Sequence, residues 1–404
     1  MKHNLYKDKD VIFSTIFVFA FIGLIKFSLV HIPHIDPITA ALEDFEITDI
    51  VYQWVRDKNT GDVNSPVVVV DIGDNREEIA QQIEVINSFG PKVIAVDAFF
   101  LTPREAESDS MLISAMGKVK NLVVGSYLES TAGQDAHGGH GEEGELRLVQ
   151  SFAPIRDMGH TAFVNFIGEE NKTIRLFKPQ IEVEGKAINS FSAEIVRLAD
   201  NEKYKHLLAR NKKTEYINYT KSGEQYVPVI EAEDIHPENE ALGFLKDKIV
   251  IIGANSFTSL DDLHFTPLNA RMAGRSKPDM PGVFIHANTV EMILSDNYVN
   301  KIPDWVVLLF SVLITYLSII FYTRYYVENH IWYHLVAKLS QFAFIVLFVF
   351  LEIFLLRNFN LRFSDKIIMV PIVLSVDLLY FYDAFVKWLH KRFGYHTYFL
   401  KGHS

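Results

Sequence analysis

None of the 404 residues is cysteine, which rules out disulfides, thiolate metal sites and a cysteine nucleophile. Positive charge is scarce too: 39 Lys and Arg stand against 50 Asp and Glu, a formal net charge of -11. With no basic stripe anywhere, nucleic acid is not an expected partner, because such binding needs clustered cations that displace counterions. Phosphate-binding loops are missing. The segments MGKV near Gly117 and EGKA near Gly185 lack both the preceding glycine and the following Ser or Thr. No convincing catalytic triad stands out, so no enzyme activity, cofactor or resident metal is expected. Long apolar runs are also absent from a central stretch of roughly 270 residues, enough for one large domain or two small ones.

The apolar runs that do occur lie at the two ends. Val11 to Val30 is close to the ~20 residues a helix needs to cross a bilayer. It is longer than a signal-peptide core and SLVHIPH offers no small-x-small cleavage site, so a retained anchor is expected. Trp305 to Thr323, Leu335 to Leu356 and Ile367 to Phe385 are three further runs. Lys2, Lys7 and Lys9 before the first run, with Lys387, Lys391, Arg392 and Lys401 after the last, place both termini in the cytoplasm by the positive-inside bias. Arg357, Arg362 and Lys366 in an outer turn run against that bias. The expected layout is a cytoplasmic segment 1–10, a span at 11–30, an external domain at 31–303, spans at 304–323, 335–356 and 367–386, and a cytoplasmic tail at 387–404.

His31 to Val55 alternates at helical spacing. PVVVVDI (66–72), REEIAQQIEVINSFG (76–90) and KVIAVDAFF (92–100) then read as buried strand, amphipathic helix closed by glycine, and buried strand. A helix around 109–118 and the run NLVVGSYL follow, a pattern of parallel strands joined by right-handed crossovers. QDAHGGHGEEGELRL has no periodicity and reads as an exposed loop. HTAFVNFI, IRLFKPQIEVEGKAI and TEYINYT read as strands, and Ser190 to Ala209 as a helix. DKIVIIGANS is another buried strand ending in a glycine turn, and Val283 to Asn297 is a helix that leads through YVNKIP into the second span. The fold class is therefore α/β, a mostly parallel sheet flanked by helices in the external domain, plus four transmembrane α-helices.

These segments resemble the type-two CHASE domain, a bacterial extracytoplasmic sensory module found ahead of cyclases, histidine kinases and serine/threonine kinases. The pieces that carry the resemblance are VVVVDIGDN, GPKVIAVDAFF, SDSMLISAMGKVKNLVVGS, GHTAFVNF with IRLF, KAINSFSAEIVRLA, TEYINYT, LKDKIVIIGANSFTSLDDLHFTPL and PGVFIHANTVEMILSDNYVNKIPDW, in that order. The resemblance implies a multi-pass protein of the bacterial inner membrane with a periplasmic sensory domain. A homodimer is expected by analogy with receptors that signal across a membrane. Family members commonly continue into a cytoplasmic output domain, whereas no kinase or cyclase sequence follows Phe385 here. The expected function is a sensor that relays ligand or envelope state to a separate signalling protein. The alternative is an accessory subunit of a cell-envelope complex that uses the CHASE-like fold as a docking surface.

Three groups of residues carry candidate chemistry. Asp71 and Asp97 stand at the carboxyl ends of two buried strands and Asp74 in the turn after the first, the edge where open parallel sheets bind ligands. They fit a cation or cationic solute, or else cap the helices that follow or pair with Lys and Arg across the turn. Asp261, Asp262 and His264, with His286 in the last helix, couple a long loop to that helix through hydrogen bonds or form an imidazole–carboxylate site. A metal-dependent hydrolase using Asp71, Asp97 and His264 is a remote rival, and His137, His140 and the glutamates after them could chelate a metal only weakly. Within the spans, Lys26, Glu352 and Asp377 are ionisable groups that membranes tolerate only when paired or facing a cavity. A Lys26–Glu352 pair is expected, with Asp377 left for a partner or a proton.

Overall fold

A computed structural model of the chain describes residues 8–29, 46–52, 65–130, 146–166, 173–220, 227–255, 263–269, 278–328 and 333–403. The chain divides into two units, 52–299 and 1–51 together with 300–404.

The unit of residues 52–299 is a three-layer α/β domain. Its first strands are β1 (Val67–Asp71), β2 (Val93–Val96), β3 (Leu122–Ser130), β4 (Leu146–Val149) and β5 (His160–Phe163). Short strands follow: β6 (Leu176–Phe177), β7 (Gln180–Val183), β8 (Lys186–Asn189), β9 (Glu215–Tyr216) and β10 (Val229–Ile230). β11 (Ile249–Gly253), β12 (Leu263–His264) and β13 (Met280–Pro281) complete the unit. The main sheet has seven strands in the order β10-β1-β11-β2-β3-β4, with β5 also on β3. All pairs are parallel except β3 with β4. Every residue of β2 and β11 is buried, as the uninterrupted apolar runs require for strands covered on both faces.

Alternation assigns the two faces. Val68, Val70, Ile94, Val96, Val250 and Ile252 share one core with Ile79, Ile83 and Ile86 of α3 (Arg76–Ser88) and Leu112 and Met116 of α4 (Ala106–Gly117). α3 starts at Asn75, whose side chain accepts from the N–H groups of Glu77 and Glu78. Arg76 joins the two helices by pairing with Asp109 and lies over the rings of Phe100 and Phe152. The opposite face meets α6 (Phe191–Ala199) and α8 (Gly282–Leu294), after the short α5 (Ala153–Arg156) and with α7 (Asn201–Ala209) behind them. The single helix expected over 190–209 is two, because Asp200 leaves helical geometry at φ -151° and caps α7 through the N–H groups of Glu202 and Lys203. The strand expected over 174–188 is likewise a hairpin. Glu184 and Gly185 both have positive φ, 50° and 73°, which makes the two-residue turn that suits the strand twist.

The other unit is a helix bundle. It holds α1 (Lys9–Leu29), the single turn α2 (Ile47–Ile50), α9 (Asp304–Glu328), α10 (Tyr333–Phe359) and α11 (Asp365–Phe393), with the parallel pair β14 (Asn300–Lys301) and β15 (Leu361–Arg362) at one end. Among the described residues, three helices are long and apolar enough to cross a membrane, α9, α10 and α11. This corrects the expected four. The uncharged stretch of α1 between Asp10 and Lys26 is shorter than the ~20 residues that a crossing takes. α1 packs along α9 and α11, with Val11 and Val18 buried against Ile319, Tyr322, Val376 and Tyr382. Leu309, Leu313, Phe342, Phe350 and Phe381 point outward and make an exposed apolar surface of the kind that suits lipid. Pro371 lies inside α11 and removes the N–H that would bond the Ile367 carbonyl. The hydroxyl of Ser311 on α9 donates to that carbonyl at 2.7 Å, which satisfies it inside the bundle.

Candidate functional site

The register of the central strands fixes where the site forms. Asp71 is paired with Gly253 and Val96 with Ile252, so Asp71, Gly253 and Asp97 make one row across the carboxyl ends of three adjacent strands. Members of such a row face the same side, here the side of α6 and α8, and two strand spacings put ~9–10 Å between the carboxylate-bearing positions. The middle of the row must be bare. A Cβ on Gly253 would lie 3.1 Å from the Asp97 Cβ and 3.3 Å from Val283 Cγ2. Gly253→Val is therefore expected to cost about 1–3 kcal/mol by overpacking and to force β2 and α8 apart. Thermal unfolding of the detergent-solubilised protein checks it, and an unchanged midpoint would show that the row is not close-packed.

Asp71 is half-buried and accepts from the Asn255 N–H at 3.1 Å, which closes the turn after β11. The side-chain nitrogen of Asn255 is buried without a hydrogen-bond partner among the described residues. Asp74 is exposed in the turn after β1, where its N–H donates to Glu78, and it does not join the row. Helix capping at this turn falls to Asn75, not to either aspartate.

α8 brings His286 to the row. Its Nε2 lies 4.0 Å from Asp97 Oδ2, and its Nδ1 lies 3.1 Å from the Ser192 hydroxyl on α6. Phe166 stacks on the imidazole at 4.6 Å between centroids, and Phe191 meets it edge-on at 5.0 Å. Burial in this aromatic cage, with a smaller push from His264, drives the imidazole pKa down to about 3. The ring is thus neutral. With Ser192 assigned as donor to Nδ1, the proton sits on Nε2 and faces Asp97 across a gap too long for a direct hydrogen bond. Asp97, His286 and Ser192 are the residue types of a hydrolase triad. Ser192 is 2 % exposed inside a helix, and its hydroxyl contacts the imidazole.

His264 stands on β12 with its ring edge-on to Phe166 at 5.0 Å, so Phe166 is shared by both histidines. Beside it, Asp279 accepts from the Thr266 N–H at 2.7 Å and its hydroxyl at 2.6 Å. Burial outweighs these bonds and pushes the Asp279 carboxyl up to about 6. Asp261 and Asp262, and the loop with His137 and His140, lie outside the described residues. No group of three metal-ligating side chains occurs among the described residues. A cavity of about 420 Å³ lies between α3 and α4, on the other face of the sheet, and is not part of this site.

Sequence reasoning singled out Asp71, Asp97, His264 and His286 but not Ser192, Phe166, Asn255 and Asp279, which come beside them only when α6, α8 and the β12–β13 pair meet the sheet. In the bundle, Glu352 is 2 % exposed and its Oε2 has no hydrogen-bond partner among the described residues. The side chain of Lys26, its expected partner, lies outside them. Asp377 pairs with Lys338 of α10 at 3.4 Å.

The chain thus combines a parallel α/β domain whose strand ends present acidic groups with helices long and apolar enough to cross a membrane. The CHASE2 domain family matches residues 32–323, and the chain belongs to that family. Neither the curated proteins nor the solved structures give a match.

Proposed function

We propose that this protein is a membrane sensor whose CHASE2 domain faces away from the cytoplasm, binds a small cationic solute or ion at the Asp71–Gly253–Asp97 row, and reports occupancy to a separate signalling protein. The observation that carries this reading is the row itself: two carboxylates at the carboxyl edge of a parallel sheet, spaced by a bare glycine, where such sheets take ligands. His286 supports a coupling role, because its Nε2 faces Asp97 while its helix leads on to the membrane segments. α8 ends at Leu294 and α9 begins at Asp304. A ligand that draws Asp97 toward or away from the imidazole changes what holds α8. The reading assigns the site no catalytic step.

Thermal unfolding of the full chain in detergent, scanned against divalent cations, polyamines and amino-acid amines, tests it. One class is expected to stabilise the protein by about 2.7 kcal/mol at a hundredfold excess over its Kd, and Asp71→Asn and Asp97→Asn each to abolish that gain. A cation that stabilises both variants as well as the parent would remove the row from the binding site. No response to any class would favour the fold as a docking surface in an envelope complex.

A further inference from the structure

Ionisable groups in membrane helices normally face the bundle interior or a water-filled cavity. Lys338 and Asp377 do not. Their side chains are 55 % and 56 % exposed on the outer surface of α10 and α11, where they meet at 3.4 Å. Asp377 is twelve residues past Asp365, the start of α11 (377 − 365), hence ~18 Å along the helix at 1.5 Å per residue. Lys338 is five residues past Tyr333, the start of α10, hence ~8 Å along that helix, so both charges fall within helices long and apolar enough to cross a ~30 Å hydrocarbon layer. Beside the pair, His334 and Tyr380 stack at 5.5 Å and bond through Tyr380 Oη and His334 Nε2 at 2.9 Å. Phe342, Val373 and Phe381 flank the polar spot with 66 %, 36 % and 63 % exposure.

We propose that this face is where a second copy of the chain docks within the membrane. The charges select the occupant. One cation and one anion lie side by side at the same depth, so the patch complements itself. A two-fold axis along the membrane normal sets Asp377 of one copy against Lys338 of the other. The contact closes a ring of two cations and two anions and removes all four from lipid, while Phe342, Val373 and Phe381 form its apolar rim. A foreign neutral helix would cover the pair without offering it a partner. This inference does not depend on what the external domain binds.

The test uses two variants of the full chain, differently tagged and co-expressed in membranes. Asp377→Lys makes the patch wholly cationic and Lys338→Asp makes it wholly anionic. Each alone is expected to lose self-association at least ~tenfold, as like charges meet across the axis, while the two together recover pairing. Because neither variant retains the pair within its own chain, recovery can come only from contact between copies. A mixed sample that pairs no better than either variant overturns the proposal. As a check that needs no altered charge, Val373→Cys introduces a lone thiol into a chain without cysteine. Oxidation is expected to give a covalent dimer in native membranes. A thiol that stays monomeric, or cross-links to a different protein, overturns the proposal equally.

Discussion

Acidifying the protein from pH 7 to pH 5 is expected to destabilise its α/β domain through His286 and to stabilise it through Asp279. Unfolded, the imidazole returns to its ordinary value of 6.5, whereas folded it is held at about 3. Between those values the unfolded chain binds the extra proton, so stability falls as pH falls, by about 2 kcal/mol at pH 5. Asp279 has the opposite sign. Its carboxyl titrates at about 6 folded and 3.8 unfolded, so between those values the folded chain holds the extra proton. Acid therefore returns about 1 kcal/mol by pH 5. The two nearly cancel in the parent protein, and substitution separates them. His286→Gln should become more stable at pH 5 than at pH 7, and Asp279→Asn should become markedly acid-labile. Thermal midpoints at the two pH values, taken on full chains in detergent, read both signs. Parallel pH profiles for parent and variants would place neither group in its described environment.

Replacing Asp10 by alanine is expected to unfasten the end of the bundle where α1 begins. This carboxylate, 2 % exposed, accepts from the hydroxyls of Tyr382 at 3.3 Å, Tyr395 at 3.0 Å and Thr397 at 2.9 Å, and from the Tyr398 N–H at 2.7 Å. Tyr395, Thr397 and Tyr398 lie beyond α11, so one acidic side chain on α1 holds the segment that follows the last helix. A stranded buried donor costs about 1–3 kcal/mol, and Asp10→Ala strands several, for a loss on the order of 3–5 kcal/mol. Asp10→Asn keeps one acceptor oxygen and should lose less. Limited proteolysis reads the result: residues 394–403 should be cut readily in the alanine variant and resist in the parent. Equal protection in both would show that the apolar contacts of Phe399 alone keep the segment in place.

What the sequence makes legible and what it hides divide along the range of the interactions. β1, α3, β2, α4, β11 and α8 are each visible as local patterns, because unbroken β-branched runs and 3.6-residue periodicity are properties of short windows. The order of the strands is not visible. β11 enters between β1 and β2, and only that insertion puts Gly253 between Asp71 and Asp97 and turns two distant aspartates into one row. His286 could be picked out as a histidine in an apolar helix, but its neutral state depends on Phe166 and Phe191, which approach from separate segments. The membrane charges teach the same lesson. Lys338 carries no local sign that it meets Asp377, and Asp10, which no motif singles out, gathers four hydrogen bonds from residues at the other end of the chain.

The Asp10 contact also has a temporal side. Its partners follow it by 372 to 388 residues, so at a ribosomal rate of ~5–20 residues per second the carboxylate waits ~20–80 s for them. Until residues 382–398 have been made, the carboxylate on the first helix does not have all four of these partners. A chain halted before Tyr395 keeps at most the Tyr382 contact, so the closing of that end reports that synthesis has passed residue 398.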